Sequence, residues 1–250
     1  MKPVLQVAPD AAALTLEAGR RLVQLASEAT LRRGRFRIGL SGGRTPEGLY
    51  RALAAPPWLD AVDWSRVALI FGDERRVAAD RPESNERMVR EALVDRLPRP
   101  PGAFLTMDGT DPNGDRAAQA YERALRAELG AEGSDPAAPF FDLLLLGMGH
   151  DGHTASLFPG SAALTDAAPE RPWVAAVPPG SVPPPVPRLT LTPPLLVRSR
   201  AILVLVTGKD KAPALGRALA EGGDERDCPI RLVRRCAGSV TFLADRAAAG

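Results

Sequence analysis

The sequence is poor in the side chains that most often signal metal, redox or nucleic-acid chemistry. Among 250 residues there are two cysteines, Cys228 and Cys236, too few for a disulfide framework or a four-thiolate zinc site, and both read as inert thiols. There are two histidines, His150 and His153, and three lysines, Lys2, Lys209 and Lys211, within a basic set of 32. Aromatic residues make up 5%. Trp58, Trp64, Phe140, Phe141 and Trp173 are scattered as core or rim packing, not as a base-stacking platform. Neither sign of charge dominates: 32 basic against 30 acidic residues leave a formal charge of +2. That argues against the concentrated basic surface on which broad phosphate-backbone binding depends. The longest apolar runs, FFDLLLLGMG and AILVLVTG, fall well short of the ~20 residues a membrane span needs. The opening MKPVLQVAPDAA has no continuous secretory core. The expectation is a cytoplasmic protein with neither nucleic acid nor membrane as a partner; monomer and dimer are both compatible with the sequence.

What is present is ordinary globular material, 45% apolar and 25% charged, in a length that suits one large domain or two small ones. Short apolar runs alternate with amphipathic stretches. Strands are expected at 36–40, 67–71, 104–107, 141–146, 173–177, 188–191, 201–206 and 240–243. Helices are expected at 14–26 with Asp10 as N-cap, from Pro46 with Thr45 as N-cap, from Ser84 to about 97, at 116–129, after Lys211, and at 230–235. The Pro-rich stretch 169–187 reads as a long loop within a single domain. Continuous apolar strands separated by helices imply a mainly parallel sheet covered on both faces, an α/β fold.

In open α/β sheets, ligands bind beyond the carboxyl ends of the strands. Polar, glycine-rich segments follow strands at Ser41, Gly72, Gly147 and Thr207, so one composite pocket is expected there. Ser41-Gly42-Gly43-Arg44-Thr45-Pro46 opens a helix, where unpaired N–H groups and the helix dipole favour an anion such as phosphate. It is no Walker loop, and a tight turn needing glycine only for geometry fits it equally. Asp73-Glu74-Arg75-Arg76 reads either as a solvated charge run or as a site segment with two of its four side chains facing the pocket. An arginine there would hold an oxyanion or phosphate. Both histidines lie in Gly147-Met148-Gly149-His150-Asp151-Gly152-His153-Thr154. A free imidazole has a pKa of ~6.5 and accepts a proton from water near neutral pH. His150, Asp151 and His153 are also possible metal donors, but there is no HExxH and no further histidine to complete a site. Lys211 near a helix start, with Arg188 and the backbone of 41–45, would suit a phosphate monoester dianion.

Taken in order, SGGRTP, FGDERRV, Ser84-Asn85, LLGMGHDGHTASLFPG, PRLTLT and TGKDKAPAL resemble the 6-phosphogluconolactonases over about 36–243. The related glucosamine-6-phosphate deaminases and isomerases share the phosphate loop, the Asp-Glu pair, the DGH turn and the late lysine. The resemblance implies a modified Rossmann-like fold over 1–250. It implies hydrolysis of 6-phospho-D-glucono-1,5-lactone to 6-phosphogluconate in the oxidative pentose phosphate pathway, with no cofactor and no metal. Carried over by motif position, His153 looks like the base that activates water and Arg75 lies near the lactone end. Asp73 and Asp151 match site acids, and Ser41, Gly42, Gly43, Thr45, Arg188 and Lys211 match phosphate-contacting positions. One position departs from the sister activities. Deaminases and isomerases place a glutamate five residues after the motif histidine, where this chain has Phe158; aldose–ketose proton transfer needs that carboxylate and lactone hydrolysis does not. A sugar-phosphate isomerase or deaminase, and a non-catalytic sugar-phosphate sensor, stay open as alternatives at this point.

Overall fold

The structure is a computed structural model that describes residues 2–130, 135, 138–165, 168, 170–180 and 182–250. Its strands are β1 (Val4–Ala8), β2 (Phe36–Leu40), β3 (Val67–Phe71), β4 (Asp73–Arg75), β5 (Ala103–Leu105), β6 (Leu143–Gly147), β7 (Val174–Val177), β8 (Arg188–Leu191), β9 (Ala201–Val206) and β10 (Ser239–Asp245). Its α-helices are α1 (Ala11–Arg33), α2 (Arg44–Leu53), α3 (Trp58–Ala61), α4 (Asn85–Ala92), α5 (Gly114–Leu129), α6 (Pro193–Leu196), α7 (Ala212–Leu219) and α8 (Arg246–Ala249). Seven strands form one parallel sheet in the order β1-β10-β9-β6-β2-β3-β5. Every residue of β2 and of β3 is buried, which is why these strands read as unbroken apolar runs and not as alternating ones. Helices flank the sheet, giving the Rossmann-like α/β architecture.

Most expected elements fall where the apolar period put them, and the departures have local causes. Helix α1 is longer than 14–26, but Asp10 caps it as expected, accepting from the Ala13 N–H at 2.8 Å. Helix α2 starts earlier than expected: Gly43, at φ 103, is its N-cap. Thr45 does not cap it; its hydroxyl is hydrogen-bonded to that of Thr207 at 2.6 Å instead. Helix α4 stops at Ala92 and gives way to a 3₁₀ turn at Val94–Arg96, and the expected helix at 230–235 is a 3₁₀ segment, Pro229–Arg235. Strand β1 was not expected. It is an edge strand whose Val4, Leu5 and Val7 are exposed, so burial imposes no readable pattern on it. In the Pro-rich stretch, 169 and 181 lie outside the described residues.

A second, three-stranded antiparallel sheet, β4-β8-β7, was also not expected. Its β4 is the charged Asp73-Glu74-Arg75 run. As a strand it sends alternate side chains to opposite faces, which separates Glu74 from its neighbours. Glu74 is buried and turned toward the start of α4, where its carboxylate accepts from the Asn85 and Glu86 N–H groups at 2.7 Å each, from Ser84 Oγ at 3.0 Å and from the Arg75 N–H at 2.6 Å. Ser84 caps the same helix by accepting from the Arg87 N–H at 3.2 Å. Burial pushes the Glu74 carboxyl above its usual range, against the lowering effect of those N–H donors. Among the described residues no helix is long and apolar enough to cross a membrane.

Glu74→Gln would turn an amide NH₂ toward donors that now meet an oxygen. It is expected to cost about 1–3 kcal/mol, the penalty of leaving a buried donor unsatisfied, read from the urea midpoint at unchanged slope. An unchanged midpoint would contradict this account of the α4 start.

Candidate active site

Parallel pairing brings the carboxyl ends of β2, β6, β9 and β10 to one edge. There they open into a cavity of about 840 Å³ that includes Ser41, Gly42, Gly43, Thr45, Asp73, Arg75, His153, Arg188 and Lys211 in its wall. Nine of the ten residues singled out from the sequence are thus brought together; the tenth, Asp151, stands one layer behind His153. A cavity this size is in the range of small-molecule sites.

One part of the wall is an anion cradle. Helix α2 enters at its N-terminus with no side-chain cap, so the N–H groups of Arg44 and Thr45, the first-turn residues ahead of Pro46 that have one, are without a partner within the helix, and the positive end of its dipole faces the cavity. The loop ahead of it is pinned from both sides. The Ser41 N–H donates to Tyr50 Oη and Tyr50 Oη donates back to the Ser41 carbonyl, each at 3.0 Å. The Gly147 N–H donates to Ser41 Oγ at 3.1 Å. Lys211 is the N-cap of α7, with Nζ 3.2 Å from Asp210 Oδ2, and its side chain is 24% exposed against 66% for Asp210. The Gly208 N–H beside it donates to Asp245, at 3.1 Å and 3.2 Å from the two oxygens.

A second part of the wall is the small sheet. Arg75 and Arg188 face each other directly across the β4–β8 ladder. Like charges opposed in this way are destabilising unless an anion joins them. Arg188 is buried, and its Nη2 donates to the carbonyls of Val182 at 3.2 Å and Pro184 at 3.1 Å. Burial lowers its pKa, Asp73 raises it, and Arg75 lowers it further. Its guanidinium lies 5.4 Å from the Phe158 ring centre. Arg75 Nη1 donates to the Glu83 carbonyl at 2.8 Å and to Asn85 Oδ1. The Nε–H groups of both arginines are buried and have no hydrogen-bond partner among the described residues. A buried Arg188 and a half-buried Arg75, each with a buried Nε–H unspent, are what a bound oxyanion or phosphate would satisfy. Asp73 is also buried and accepts from Ser156 Oγ at 2.6 Å.

The third part is the turn after β6. His153 Nδ1 lies 2.6 Å from Asp151 Oδ1, and the His153 N–H donates to the same oxygen at 3.1 Å. Burial pushes the Asp151 carboxyl up, but the hydrogen bond and charge of His153 outweigh it and leave it well below the usual carboxylate range. An ionised carboxylate only accepts, so Nδ1 carries the proton in either form of the ring, and in the neutral form Nε2 is the acceptor. The stability this pairing confers is complete above the ordinary carboxylate range and is lost as pH falls through the lowered value. The turn must be tight: a Cβ on Gly149 would fall on both the His153 ring and Asp151 Oδ1. The Phe158 ring packs against the imidazole, 4.8 Å between centres.

Residues of the same motifs separate by role. Arg76 turns away and donates to the carbonyls of Asp111 at 2.6 Å and Pro112 at 3.0 Å. His150 is exposed at the cavity rim. Asn85, Ala155 and Asp245 line the cavity without having been singled out as site residues. Asp245 ends β10, and the rule that located the other loops applies to it once β10 is known to run that far. Among the described residues no cluster of three or more metal-ligating side chains occurs. A second cavity, about 640 Å³ at the opposite end of the sheet, is lined by Arg33, Arg200 and Asp142. There Asp142 lies 2.8 Å and 3.4 Å from the two guanidinium groups, a single carboxylate shared between two cations.

The family profile described as Glucosamine-6-phosphate isomerases/6-phosphogluconolactonase matches residues 9–242. The 6-phosphogluconolactonase of Synechocystis is 38% identical over 222 residues, covering 89% of this chain and 87% of that protein. That of Streptomyces coelicolor is 38% identical over 251 residues, covering 99% and 94%. The structure of 6-phosphogluconolactonase from Trypanosoma brucei superposes with a TM-score of 0.86 at 30% identity, covering 99% of this chain and 98% of that one. A monomeric glucosamine-6-phosphate deaminase superposes with a TM-score of 0.81 at 24% identity, a likeness of fold alone. With a profile match across most of its length and relatives of this similarity over nearly their whole chains, the chain belongs to the glucosamine-6-phosphate isomerase/6-phosphogluconolactonase family.

Proposed function

We propose that the chain hydrolyses 6-phospho-D-glucono-1,5-lactone to 6-phosphogluconate, in the cytoplasm, without metal or cofactor. The observation that carries this reading is the meeting, in one cavity, of an anion cradle and a histidine whose Nδ1 is held by a carboxylate. The relatives named above as 6-phosphogluconolactonases support the substrate class.

The substrate's phosphate dianion docks against the N–H groups at the start of α2, with Ser41, Gly42, Gly43 and Thr45 forming the loop and Arg188 and Lys211 supplying charge. Fixing the remote end orients the ring and turns binding energy into alignment at C1. His153 Nε2 takes a proton from water as the water oxygen bonds to C1. The carbonyl electrons move onto oxygen, and Arg75 stabilises the resulting oxyanion. Collapse of the tetrahedral centre breaks the bond from C1 to the ring oxygen, which receives the proton from His153. The product is an open-chain acid, and His153 returns to its neutral form. Asp151 stabilises the imidazolium and fixes the tautomer throughout. Asp73, held by Ser156 and Asn85, offers a carboxylate to the sugar hydroxyls. Aldose–ketose proton transfer lacks support here, because an apolar ring, Phe158, stands beside His153 where a relaying carboxylate would be needed.

General acid–base catalysis contributes ~10²–10⁴-fold, so His153→Ala is expected to lower kcat by that order with little change in KM. Asp151→Asn, which presents an acceptor and a donor where only an acceptor now stands, is expected to lower kcat in the same direction. Near-wild-type turnover in purified His153→Ala, after subtraction of spontaneous lactone hydrolysis, would remove His153 from this role.

Lys211→Ala and Arg188→Ala each leave the rest of the cradle to align the phosphate, and are expected to act mainly on KM, each raising it by about tenfold or more through loss of a charge-assisted contact. Steady-state kinetics on the phosphorylated lactone checks this. An unchanged KM in both variants would defeat the proposed anchor.

A further inference from the structure

Asn85 is the first residue of α4, but capping is not its job, since Ser84 and Glu74 already satisfy the start of that helix. Its side chain is buried and forms part of the cavity wall. The carboxamide touches three components of the site. Nδ2 donates to the Asp73 carbonyl at 2.9 Å and lies 3.4 Å from Asp73 Oδ1. Oδ1 accepts from Arg75 Nη1. The third contact is with the phosphate loop: a Cβ on Gly42 would lie 2.7 Å from Asn85 Cγ, 2.8 Å from Nδ2 and closer still to Oδ1.

The chemistry on either side fixes the amide in one orientation. Guanidinium is donor-only and a carbonyl is acceptor-only, so the oxygen must face Arg75 and the nitrogen must face Asp73. No aliphatic side chain could serve either partner, and a carboxylate at 85 would turn an acceptor toward Asp73. On the Arg75 side, Asn85 and the Glu83 carbonyl occupy Nη1 and leave the Nε–H unspent. Gly42 has no left-handed backbone that would itself exclude a side chain, and the three atoms nearest its absent Cβ all belong to Asn85.

We infer that Asn85 is a positioning residue that holds the Arg75 guanidinium at the lactone end of the cavity, and that position 42 is glycine to make room for the Asn85 carboxamide. The inference rests on the lactonase reading above, in which Arg75 meets the developing oxyanion. It makes one side chain the physical link between the loop that takes the phosphate and the arginine that serves C1. The glycine of the phosphate loop is then required at least as much by Arg75 geometry as by close approach of the phosphate.

The test is steady-state lactone hydrolysis with the full-length chain and the variants Asn85→Ala, Arg75→Ala, Gly42→Ala, Asn85→Ala/Arg75→Ala and Gly42→Ala/Asn85→Ala. Wild type and His153→Ala serve as references, and each variant's thermal melt is recorded. Asn85→Ala is expected to lower kcat by at least about tenfold while KM changes by less than about threefold, the split expected for an interaction realised in the transition state. Residues acting through one another are non-additive, so Asn85→Ala is expected to cost less than about twofold more in the Arg75→Ala background. Gly42→Ala is expected to lower kcat by itself and to add less than about twofold once Asn85 is alanine, because the clash is then gone. Wild-type kcat in Asn85→Ala, with Arg75→Ala and His153→Ala both impaired, overturns the assignment and leaves the lactonase reading standing. Losses that multiply independently also overturn it. Wild type without lactone turnover overturns the reading itself and the assignment with it. Should Asn85→Ala melt below the assay temperature, Gly42→Ala tests the same contact from the loop side, and unchanged kcat there overturns the inference.

Discussion

The site depends on the parallel pairing of β2, β6, β9 and β10. Strands that run parallel point their carboxyl ends toward the same edge of the sheet. The residues at or just beyond each strand's end, Ser41, Gly147, Thr207 and Asp245, are therefore neighbours in space although far apart in the chain. Hydrogen bonds across the edge finish the job: Gly147 N–H to Ser41 Oγ, Thr45 to Thr207, Gly208 N–H to Asp245. The small antiparallel sheet then brings Arg75 and Arg188 to the same opening. No single loop contains the site; the sheet assembles it.

Assembly of this kind carries stability costs that are concentrated at the cavity. Arg75 and Arg188 are like charges in direct opposition, both with buried donors unspent. Ala155, in the cavity wall, sits at φ 47, a left-handed conformation that costs a non-glycine residue on the order of 1 kcal/mol or more. Such features persist only where packing around them over-determines the backbone, and here Thr154 and Ser156 on either side are fully buried and hydrogen-bonded, to the Gly147 carbonyl and to Asp73. A bound dianion would offset the charge repulsion, so ligand binding and local stability are linked through the same groups.

Much of this was legible in the sequence because the relevant signals are local. Apolar runs such as FRIGL and VALIF gave strands at their observed limits, and the glycine-rich segments after them located the cavity. What escaped was set by tertiary contact. Strand β1 is legible only once it pairs with β10, since its exposed side chains carry no pattern. For the run Asp73-Glu74-Arg75 the sequence left open a solvated charge run or a site segment with two side chains facing the pocket; what it did not show was the pairing with β8, which sends Asp73 and Arg75 one way and Glu74 the other. Helix α2 starts before Thr45 because Gly43 takes the N-cap position at φ 103, a conformation open to glycine, while the Thr45 hydroxyl is spent on Thr207. Asn85 could be noticed as part of a motif, but its role depends on three partners that only the fold brings together.

The central claim is that a remote phosphate, gripped at the α2 end of the cavity, aligns a lactone carbonyl with His153. The most direct measurement compares kcat/KM of the purified chain for 6-phospho-D-glucono-1,5-lactone and for the same lactone without its phosphate. If remote binding is converted into alignment, the phosphorylated substrate should be favoured by at least about 10²-fold, with part of the difference in kcat. Equal kcat/KM for the two lactones would contradict the account.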